Sequence, residues 1–236
     1  MFVLVFSLIV DTSAMEHEGL TQQCAAYGLS VETITAQRTA DSMLWRLSDK
    51  LHKDPEEIAL IFYRSRGYDG CWCEGGTLNL LMKCASFPVL VRYNSFGERQ
   101  DARRRYFEAQ CTILAARGNE ILDAISTASF GQVSLAAMEI LRDPFVRQCY
   151  PRVRLEFVLA LWKTLGAARL AEIARIFVSK PYDYRAGWPD LTLFGDDSLR
   201  FVEVKTTDLL HKSQLRVLEM FAKPLALNFS VAHVIP

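Results

Sequence analysis

Two short runs near the C-terminal end decide the fold of this chain: Gly187-Trp188-Pro189-Asp190-Leu191 and Val202-Glu203-Val204-Lys205. The first run contains the only Pro-Asp dipeptide of the sequence, and Glu203 follows its Asp190 by thirteen residues. Lys205 is the only lysine that lies two residues after an Asp or a Glu. Alternating hydrophobicity around both runs predicts two adjacent strands, which a turn would join into a hairpin. We expect this hairpin to place Asp190 beside Glu203.

The spacing of these side chains predicts chemistry on one face of the hairpin. Residues two apart on a strand project to the same side, so Glu203 and Lys205 point together, while Val204 points into the core and keeps its carbonyl free. Two adjacent carboxylates repel each other unless a cation neutralises them, and hard oxygen ligands suit Mg²⁺ or Mn²⁺. The Pro-Asp…Glu-x-Lys pattern is typical of metal-dependent nucleases. A solvated ion pair next to an ordinary turn is the other interpretation.

Helical patterns fill the middle of the chain, and alternation replaces them near the C-terminus. Residues 11–54 are only weakly patterned. Capping residues, apolar stripes and breakers predict helices at 55–66, 77–87, 101–117, 119–128, 134–142, 154–165 and 167–178. Strands at 191–194 and 201–205, a turn at 195–198, a helix at 211–222 and a strand at 228–235 follow. The C-terminal unit is therefore predicted to be β-β-α-β.

Bulk composition limits the class of protein but does not reveal a partner. The 236 residues suffice for one large domain or two small ones, and the 50% hydrophobic content supports a proper core. The 27 basic and 27 acidic residues balance. Between Leu141 and Arg185, however, nine Arg or Lys outnumber four Asp or Glu, a local excess that would suit a phosphate backbone. Solvated helix faces are the alternative interpretation of this stretch.

The cysteines and the N-terminal segment indicate an intracellular protein. The six cysteines show no metal-ligand spacing with the four histidines, and we interpret them as reduced, mostly buried thiols. The apolar segment Met1–Val10 is too short to span a bilayer and lacks the basic residues that precede a signal-peptide core. We interpret it as a buried helix or strand, or as the ragged start of a partial gene product. Neither secretion nor a membrane partner is expected.

Around the two runs, the chain resembles the VRR-NUC nuclease domain, through Arg185-Ala186-Gly187-Trp188-Pro189-Asp190-Leu191 and Phe201-Val202-Glu203-Val204-Lys205. More narrowly, it is similar to the C-terminal part of the Fanconi-anaemia-associated nuclease family. Two upstream segments carry this narrower likeness: Glu56-Glu57-Ile58-Ala59-Leu60-Ile61-Phe62-Tyr63-Arg64-Ser65-Arg66-Gly67-Tyr68 and Cys73-Glu74-Gly75-Gly76-Thr77-Leu78. The family's N-terminal DNA-binding and helical-repeat parts have no counterpart in these 236 residues.

The resemblance implies a site that combines distant parts of the chain. In the family, the Glu of the Glu-Gly turn is a metal ligand, which implies that role for Glu74, 116 residues before Asp190. A helix-start carboxylate that complements the helix dipole is the other interpretation of Glu74. The implied metal ligands are Glu74, Asp190, Glu203 and the Val204 carbonyl. The implied catalytic residues are Asp190, Glu203, Lys205, which positions the nucleophile, and Gln214, which supports Lys205.

The segment after Lys205 departs from the family pattern. The family has Gly-Pro-x-Asp-x-Leu-Ser-x-x-Gln, whereas Thr206-Thr207-Asp208-Leu209-Leu210-His211-Lys212-Ser213-Gln214 is one residue shorter and lacks the Gly-Pro. A basic pocket near this loop grips a DNA 5′ phosphate in the family, which implies phosphate contacts for Arg185 and for Lys212 as a displaced equivalent. Ordinary surface charges are the alternative for both residues.

Together these observations predict an α/β fold with a restriction-endonuclease-like PD-(D/E)xK core behind a helical region. We expect an N-terminal segment at 1–53, which is uncertain or the remnant of a larger helical part, and a VRR-NUC domain at 54–236, with a helical portion at 77–180 and a catalytic core at 185–236.

The resemblance implies a 5′-flap endonuclease and 5′-to-3′ exonuclease that uses Mg²⁺ or Mn²⁺ in interstrand crosslink repair. Its partners would be flap or branched DNA with 5′ phosphate ends and repair-complex proteins, in a nucleus or a bacterial cytoplasm. A Holliday-junction resolvase or restriction-like nuclease, a truncated non-catalytic DNA-binding module and a chain that does not fold stably are the alternatives.

Overall fold

The computed structural model describes residues 12–39, 44–47, 50–52, 54–94, 96–195 and 198–236. The apolar segment Met1–Val10 and the centre of the turn predicted at 195–198 lie outside the described residues. No single helix among those residues is long and apolar enough to cross a membrane, and one bent pair, Ala115–Thr127 with Phe130–Arg142, passes by length and composition only.

Helices and two groups of strands alternate along the chain. The helices are α1 (Thr12–Ala26), α2 (Pro55–Arg64), α3 (Gly76–Arg92), α4 (Arg99–Arg104), α5 (Phe107–Ile113), α6 (Gly118–Thr127), α7 (Phe130–Arg142), α8 (Pro144–Cys149), α9 (Leu155–Ser179), α10 (Pro181–Tyr184) and α11 (Lys212–Val217). The strands are β1 (Ser30–Thr35), β2 (Gln37–Arg38), β3 (Trp45–Leu47), β4 (Lys50–His52), β5 (Asp69–Trp72), β6 (Leu191–Gly195), β7 (Ser198–Lys205) and β8 (Phe229–Ile235). A 3₁₀ turn, Ala115–Arg117, precedes α6, and a π-helical turn, Leu218–Ala222, follows α11.

A five-stranded mixed sheet in the order β1-β8-β7-β6-β5 forms the centre of the molecule. The strands β5, β6 and β7 pair antiparallel, and β7, β8 and β1 pair parallel. The predicted C-terminal β-β-α-β unit is confirmed, with Leu191 opposite Val202 in the β6–β7 hairpin. The strands β2, β3 and β4 form a separate three-stranded sheet.

The two outer strands of the central sheet were not predicted. The segment that forms β5 contains the dipeptide Asp69-Gly70, which is typical of turns, and yet its four residues pair with β6. The strand β1 lies in the weakly patterned region, where burial alternates only partly. It pairs with β8 over six residues, so a strand from before residue 54 completes the sheet. The division of the chain at residue 54 stays a prediction.

Apolar layers cover both faces of the sheet, because successive residues of a strand project to opposite sides. On one face, Val202 and Val204 pack in a cluster with Ile58 and Tyr63 of α2. On the other face, Phe201 joins a larger cluster that is built mainly from α3, α6, α7 and α9. This arrangement explains why β7 is apolar at consecutive positions and still carries polar side chains at its C-terminal end.

Two predicted helix boundaries are wrong, and one predicted break is confirmed. Pro88 does not end α3, because this helix is buried over most of its length and packing outweighs the lost backbone hydrogen bond. The predicted break at Gly166 is confirmed, because two helical segments meet within α9 at a kink where Gly166 adopts the non-helical angles φ 67° and ψ 174°. The helix predicted at 101–117 is divided, because Arg105 adopts an extended conformation between α4 and α5.

Candidate active site

The hairpin brings the two predicted carboxylates together at the end of the sheet. Asp190 lies directly before β6, and the pairing of Leu191 with Val202 places it opposite Glu203. The Asp190 Oδ2 accepts a hydrogen bond of 2.8 Å from the Val204 backbone N–H. The Asp190 side chain is therefore fixed by β7 itself, and its position follows from the short turn between the strands.

Glu203 and Lys205 form a buried ion pair on the same face of β7. The Lys205 Nζ lies 3.0 Å from the Glu203 Oε1, and each residue is 6% exposed. The second carboxylate oxygen, Glu203 Oε2, is buried and receives no hydrogen bond from a donor of the described residues, while the Asp190 carboxylate lies close enough to share a proton with Glu203. An unpartnered buried carboxylate oxygen is costly, so this oxygen is a position where a bound cation would be stabilising.

Burial and proximity disfavour two negative charges at this site. Burial first, and then the Asp190 charge, raise the pKa of Glu203 from 4.5 to about 8. The pKa of Asp190 is also raised, chiefly by burial, although the Val204 N–H and the Lys205 charge act in the opposite direction. Without a cation, the pair therefore tends to hold a proton near neutral pH. A divalent ion would displace that proton.

Gln214 contacts the carboxylate of the ion pair rather than the Lys205 ammonium, and its support of Lys205 stays a prediction. Its Nε2 donates to the Glu203 Oε1, and its Oε1 accepts a hydrogen bond of 2.7 Å from the His211 N–H at the start of α11. The side chain is thereby held between the helix N-terminus and the strand. It reaches Glu203 because α11 begins beside Gly187, where a Cβ would lie 2.3 Å from the Ser213 carbonyl oxygen.

The Glu74 backbone lies next to Asp190, in a strained turn that follows β5. The Cys73 and Glu74 N–H groups donate to the Asp190 carbonyl at 2.9 and 3.2 Å. Glu74 adopts φ 46°, and Gly75 follows at φ 75° against the Trp188 ring. Left-handed backbone at a non-glycine residue is uncommon and often marks a functional turn. The Glu74 charge also contributes to the raised pKa of Asp190, so these two carboxylates are close enough to interact electrostatically.

The carboxylates fit a hard divalent cation incompletely in this arrangement. Among the described residues, no group of three or more His, Cys, Asp or Glu side chains is arranged to hold a metal ion. Asp190 and the free Glu203 Oε2 supply two hard oxygen donors, whereas Glu74 is exposed and Glu203 also pairs with Lys205. The chemical type of these donors, carboxylate oxygens, therefore suits Mg²⁺ or Mn²⁺, although their number is incomplete. The third ligand requires the Glu74 side chain to turn toward the pair, and the Val204 carbonyl stays a predicted ligand.

A cavity of about 370 Å³ opens beside Glu74 and holds one of the two predicted phosphate contacts. Arg185 lines it, with an exposed guanidinium that lies 3.9 Å from Glu108 and over the Tyr182 ring. Lys212 is exposed at the start of α11 and is not among the residues that line this cavity. Of the two residues, Arg185 lines this cavity and Lys212 does not.

Arg152 was not singled out by sequence reasoning, although it lies within the basic stretch from Leu141 to Arg185. Its guanidinium stacks on the Trp72 ring at 3.6 Å from the ring centroid. Both residues line the cavity beside Glu74 and also a second cavity of about 370 Å³, which Arg64 and Arg154 line as well. The local excess of basic residues was the sequence signal that could have pointed to Arg152. The fold shows that Arg152 and Arg185 are the arginines of this stretch that line the cavity beside Glu74.

Comparisons with known proteins extend the description of the fold. No family model and no curated protein sequence matches the chain. Two crystal structures of paFAN1 do match. One is bound to gapped DNA with a two-nucleotide 5′ flap and matches with a TM-score of 0.60 and 19% identity, over 97% of this chain and 43% of the paFAN1 chain. The other is bound to gapped DNA with a one-nucleotide 5′ flap and matches with a TM-score of 0.55 and 20% identity, over 87% of this chain and 37% of the paFAN1 chain. The chain thus spans less than half the length of the paFAN1 chains. The resemblance drawn from the sequence is confirmed at the level of structure: this chain has a mixed α/β fold similar to part of paFAN1.

Proposed function

We propose that this chain is a divalent-metal-dependent DNA nuclease with a restriction-endonuclease-like core. One observation carries the proposal: Asp190, Glu203 and Lys205 form a buried cluster whose carboxylate oxygen Glu203 Oε2 receives no hydrogen bond from a donor of the described residues. Buried charge of this kind is unfavourable for stability alone, and such sites concentrate where charge is used in chemistry. The similarity of fold to DNA-bound paFAN1 supports a nucleic-acid substrate.

Each residue of the cluster has a role that follows from its position. Asp190, Glu203 and Glu74 would hold the cation, together with the Val204 carbonyl. When bound, Mg²⁺ or Mn²⁺ would polarise the scissile phosphate and lower the pKa of an attacking water.

The other residues act through position and charge. The Lys205 ammonium would orient the water and offset the negative charge that develops on the phosphate. Gln214 keeps Glu203 in place through its hydrogen bond to Oε1.

The proposed substrate is DNA with a 5′ flap, cut as an endonuclease and then in the 5′-to-3′ direction, within interstrand crosslink repair. The paFAN1 structures that share the fold hold DNA with 5′ flaps, and Arg185 and Arg152 line the cavity next to Glu74. Guanidinium groups bind phosphate oxygens well, so this cavity would receive the backbone near the cut. Repair-complex partners and a nuclear or bacterial cytoplasmic location belong to the same proposal.

Cleavage assays on labelled DNA test this function directly. We expect the protein to cut a 5′-flap substrate with Mn²⁺ or Mg²⁺ and not in EDTA. Lys205→Ala and Asp190→Ala should abolish cleavage and keep DNA binding largely intact. Lys50→Ala, at an exposed lysine of β4, is the control and should cut at the wild-type rate.

The same assays separate the competing functions. Faster cutting of a four-way junction than of the flap would indicate a Holliday-junction resolvase, and sequence-dependent cutting a restriction-like nuclease. Binding of flap DNA without any metal-dependent cutting would indicate a non-catalytic DNA-binding module. Full activity of a well-folded Lys205→Ala protein would exclude the mechanism.

A further inference from the structure

Two thiols lie in contact at the end of β5, next to Glu74. The Sγ atoms of Cys71 and Cys73 are 3.5 Å apart, and both lie near the Thr77 hydroxyl, at 3.2 and 3.0 Å respectively. Residues two apart on a strand share a face, which explains why both thiols point toward Thr77. Both are free cysteines in this structure. Neither has a role in the function proposed above.

The two thiols differ in their access to solvent. Cys71 is 3% exposed and lines the second cavity, whereas Cys73 is half-buried and lines the cavity of about 370 Å³ that Arg152 and Arg185 also line. A small reagent that enters this cavity therefore meets Cys73 first. Cys71 lies directly behind Cys73, at a distance from which it could react with a modified Cys73.

We propose that Cys71 and Cys73 form a reversible disulfide when hydrogen peroxide reacts with Cys73. The Cys73 sulfur attacks one peroxide oxygen, the O–O bond breaks, and one water leaves as a sulfenic acid forms. The Cys71 sulfur then attacks the Cys73 sulfur, the S–O bond breaks, and a second water leaves as the S–S bond forms. In total, the two thiols lose two protons and two electrons, and hydrogen peroxide is reduced to two waters.

Closing this bond requires the end of β5 to move. Two residues of an extended strand span about 6.6–7.2 Å between Cα atoms, whereas disulfides usually join Cα atoms about 4.4–6.8 Å apart. The Cys71–Cys73 segment must therefore shorten, which shifts the Cys73 peptide. That peptide and the next donate their N–H groups to the Asp190 carbonyl, so the shift reaches both Asp190 and Glu74.

The disulfide would therefore reduce catalysis, a consequence that rests on the proposed function. A displacement of catalytic groups by about 1 Å can cost about 100-fold in rate. We expect a loss of this size in flap cleavage after oxidation, and its recovery after reduction with dithiothreitol. The chemical modification itself does not depend on nuclease activity.

Mass spectrometry tests the modification independently of any activity. Trypsin releases residues 67–83 as one peptide that contains both Cys71 and Cys73, and it releases Cys149, the other cysteine that lines the cavity, in a separate peptide. The folded full chain is treated with hydrogen peroxide in EDTA, alkylated with iodoacetamide and digested. The expected product is the 67–83 peptide without alkylation and lighter by two hydrogen atoms, restored by dithiothreitol.

Variants and partner mapping give outcomes that would overturn the proposal. Cys73→Ser and Cys71→Ser, each checked for folding by circular dichroism, should not form the modified peptide, whereas Cys149→Ser should form it as the wild type does. A cross-link between Cys73 and Cys149, or an alkylatable Cys71–Cys73 pair after peroxide treatment, would refute the assignment.

The activity arm has separate outcomes. Disulfide formation with an unchanged cleavage rate would refute the coupling to the site. A chain that forms the disulfide but never cuts DNA would count against the proposed nuclease and leave the dithiol site standing.

Discussion

Replacing Glu203 by glutamine should flatten the pH dependence of stability in the metal-free protein. Glu203 is buried beside Asp190, and burial together with that charge raises its pKa from 4.5 to about 8. The folded protein therefore holds a proton that the unfolded chain releases at lower pH. As the pH rises from 4.5 toward 8, the free energy of unfolding falls, because the unfolded state binds fewer protons than the folded state.

The size of the pH dependence follows from how far the pKa of Glu203 is raised. One pKa unit corresponds to about 1.4 kcal/mol, so the Glu203 shift amounts to at most about 5 kcal/mol across the whole window. The slope should approach about 1.4 kcal/mol per pH unit, which is about 3–6 °C in Tm for a chain of this size. Because the pKa of Asp190 is raised as well, part of the slope should remain in Glu203→Gln.

Thermal unfolding in EDTA between about pH 5 and pH 8 measures these slopes. Glu203→Gln preserves the size of the side chain and an acceptor for Gln214. Because it removes the titrating carboxyl, the slope of the variant should be clearly shallower than that of the wild type. Glu219→Gln, at an exposed carboxylate on the π-helical turn, is the control and should match the wild type. Mn²⁺ should raise the wild-type Tm most near pH 8. Equal slopes in Glu203→Gln and wild type would refute the reasoning.

Two further substitutions test the backbone and the contacts around the site. Gly75→Ala should lower the free energy of unfolding by at least about 2 kcal/mol in urea titrations, because φ is 75° and a Cβ would lie 2.4 Å from the Trp188 Cβ. Gly131→Ala, where a Cβ meets no atom within 4 Å, should be neutral or slightly stabilising, and equal losses in both would contradict this account. Gln214→Ala should reduce kcat for flap cleavage about 10- to 100-fold with little change in KM, because Glu203 loses its positioning contact. Wild-type kcat in that variant would show that the contact is not used.

Local signals predicted the elements where propensity and burial agree. The β6–β7 hairpin has alternating apolar residues on both sides of a turn, and the structure pairs it as expected. The outer strands were missed because their local signals point elsewhere. Asp69-Gly70 is a dipeptide typical of turns, yet it pairs with the edge of β6 and forms the start of β5. Pro88 is a helix breaker, yet the packing around α3 holds the helix through it.

The sequence by itself determined the pairing of Asp190, Glu203 and Lys205, because a hairpin with a short turn leaves little choice of register and strand geometry places alternate residues on one face. The tertiary structure alone decided how the rest of the chain meets this cluster. The approach of Glu74 depends on β5 joining the sheet edge across 116 residues of intervening chain, which no local pattern encodes. The contact of Gln214 with Glu203 depends on how α11 packs beside Gly187. Such contacts are set by packing among distant elements, whose geometry arises only when the whole core forms.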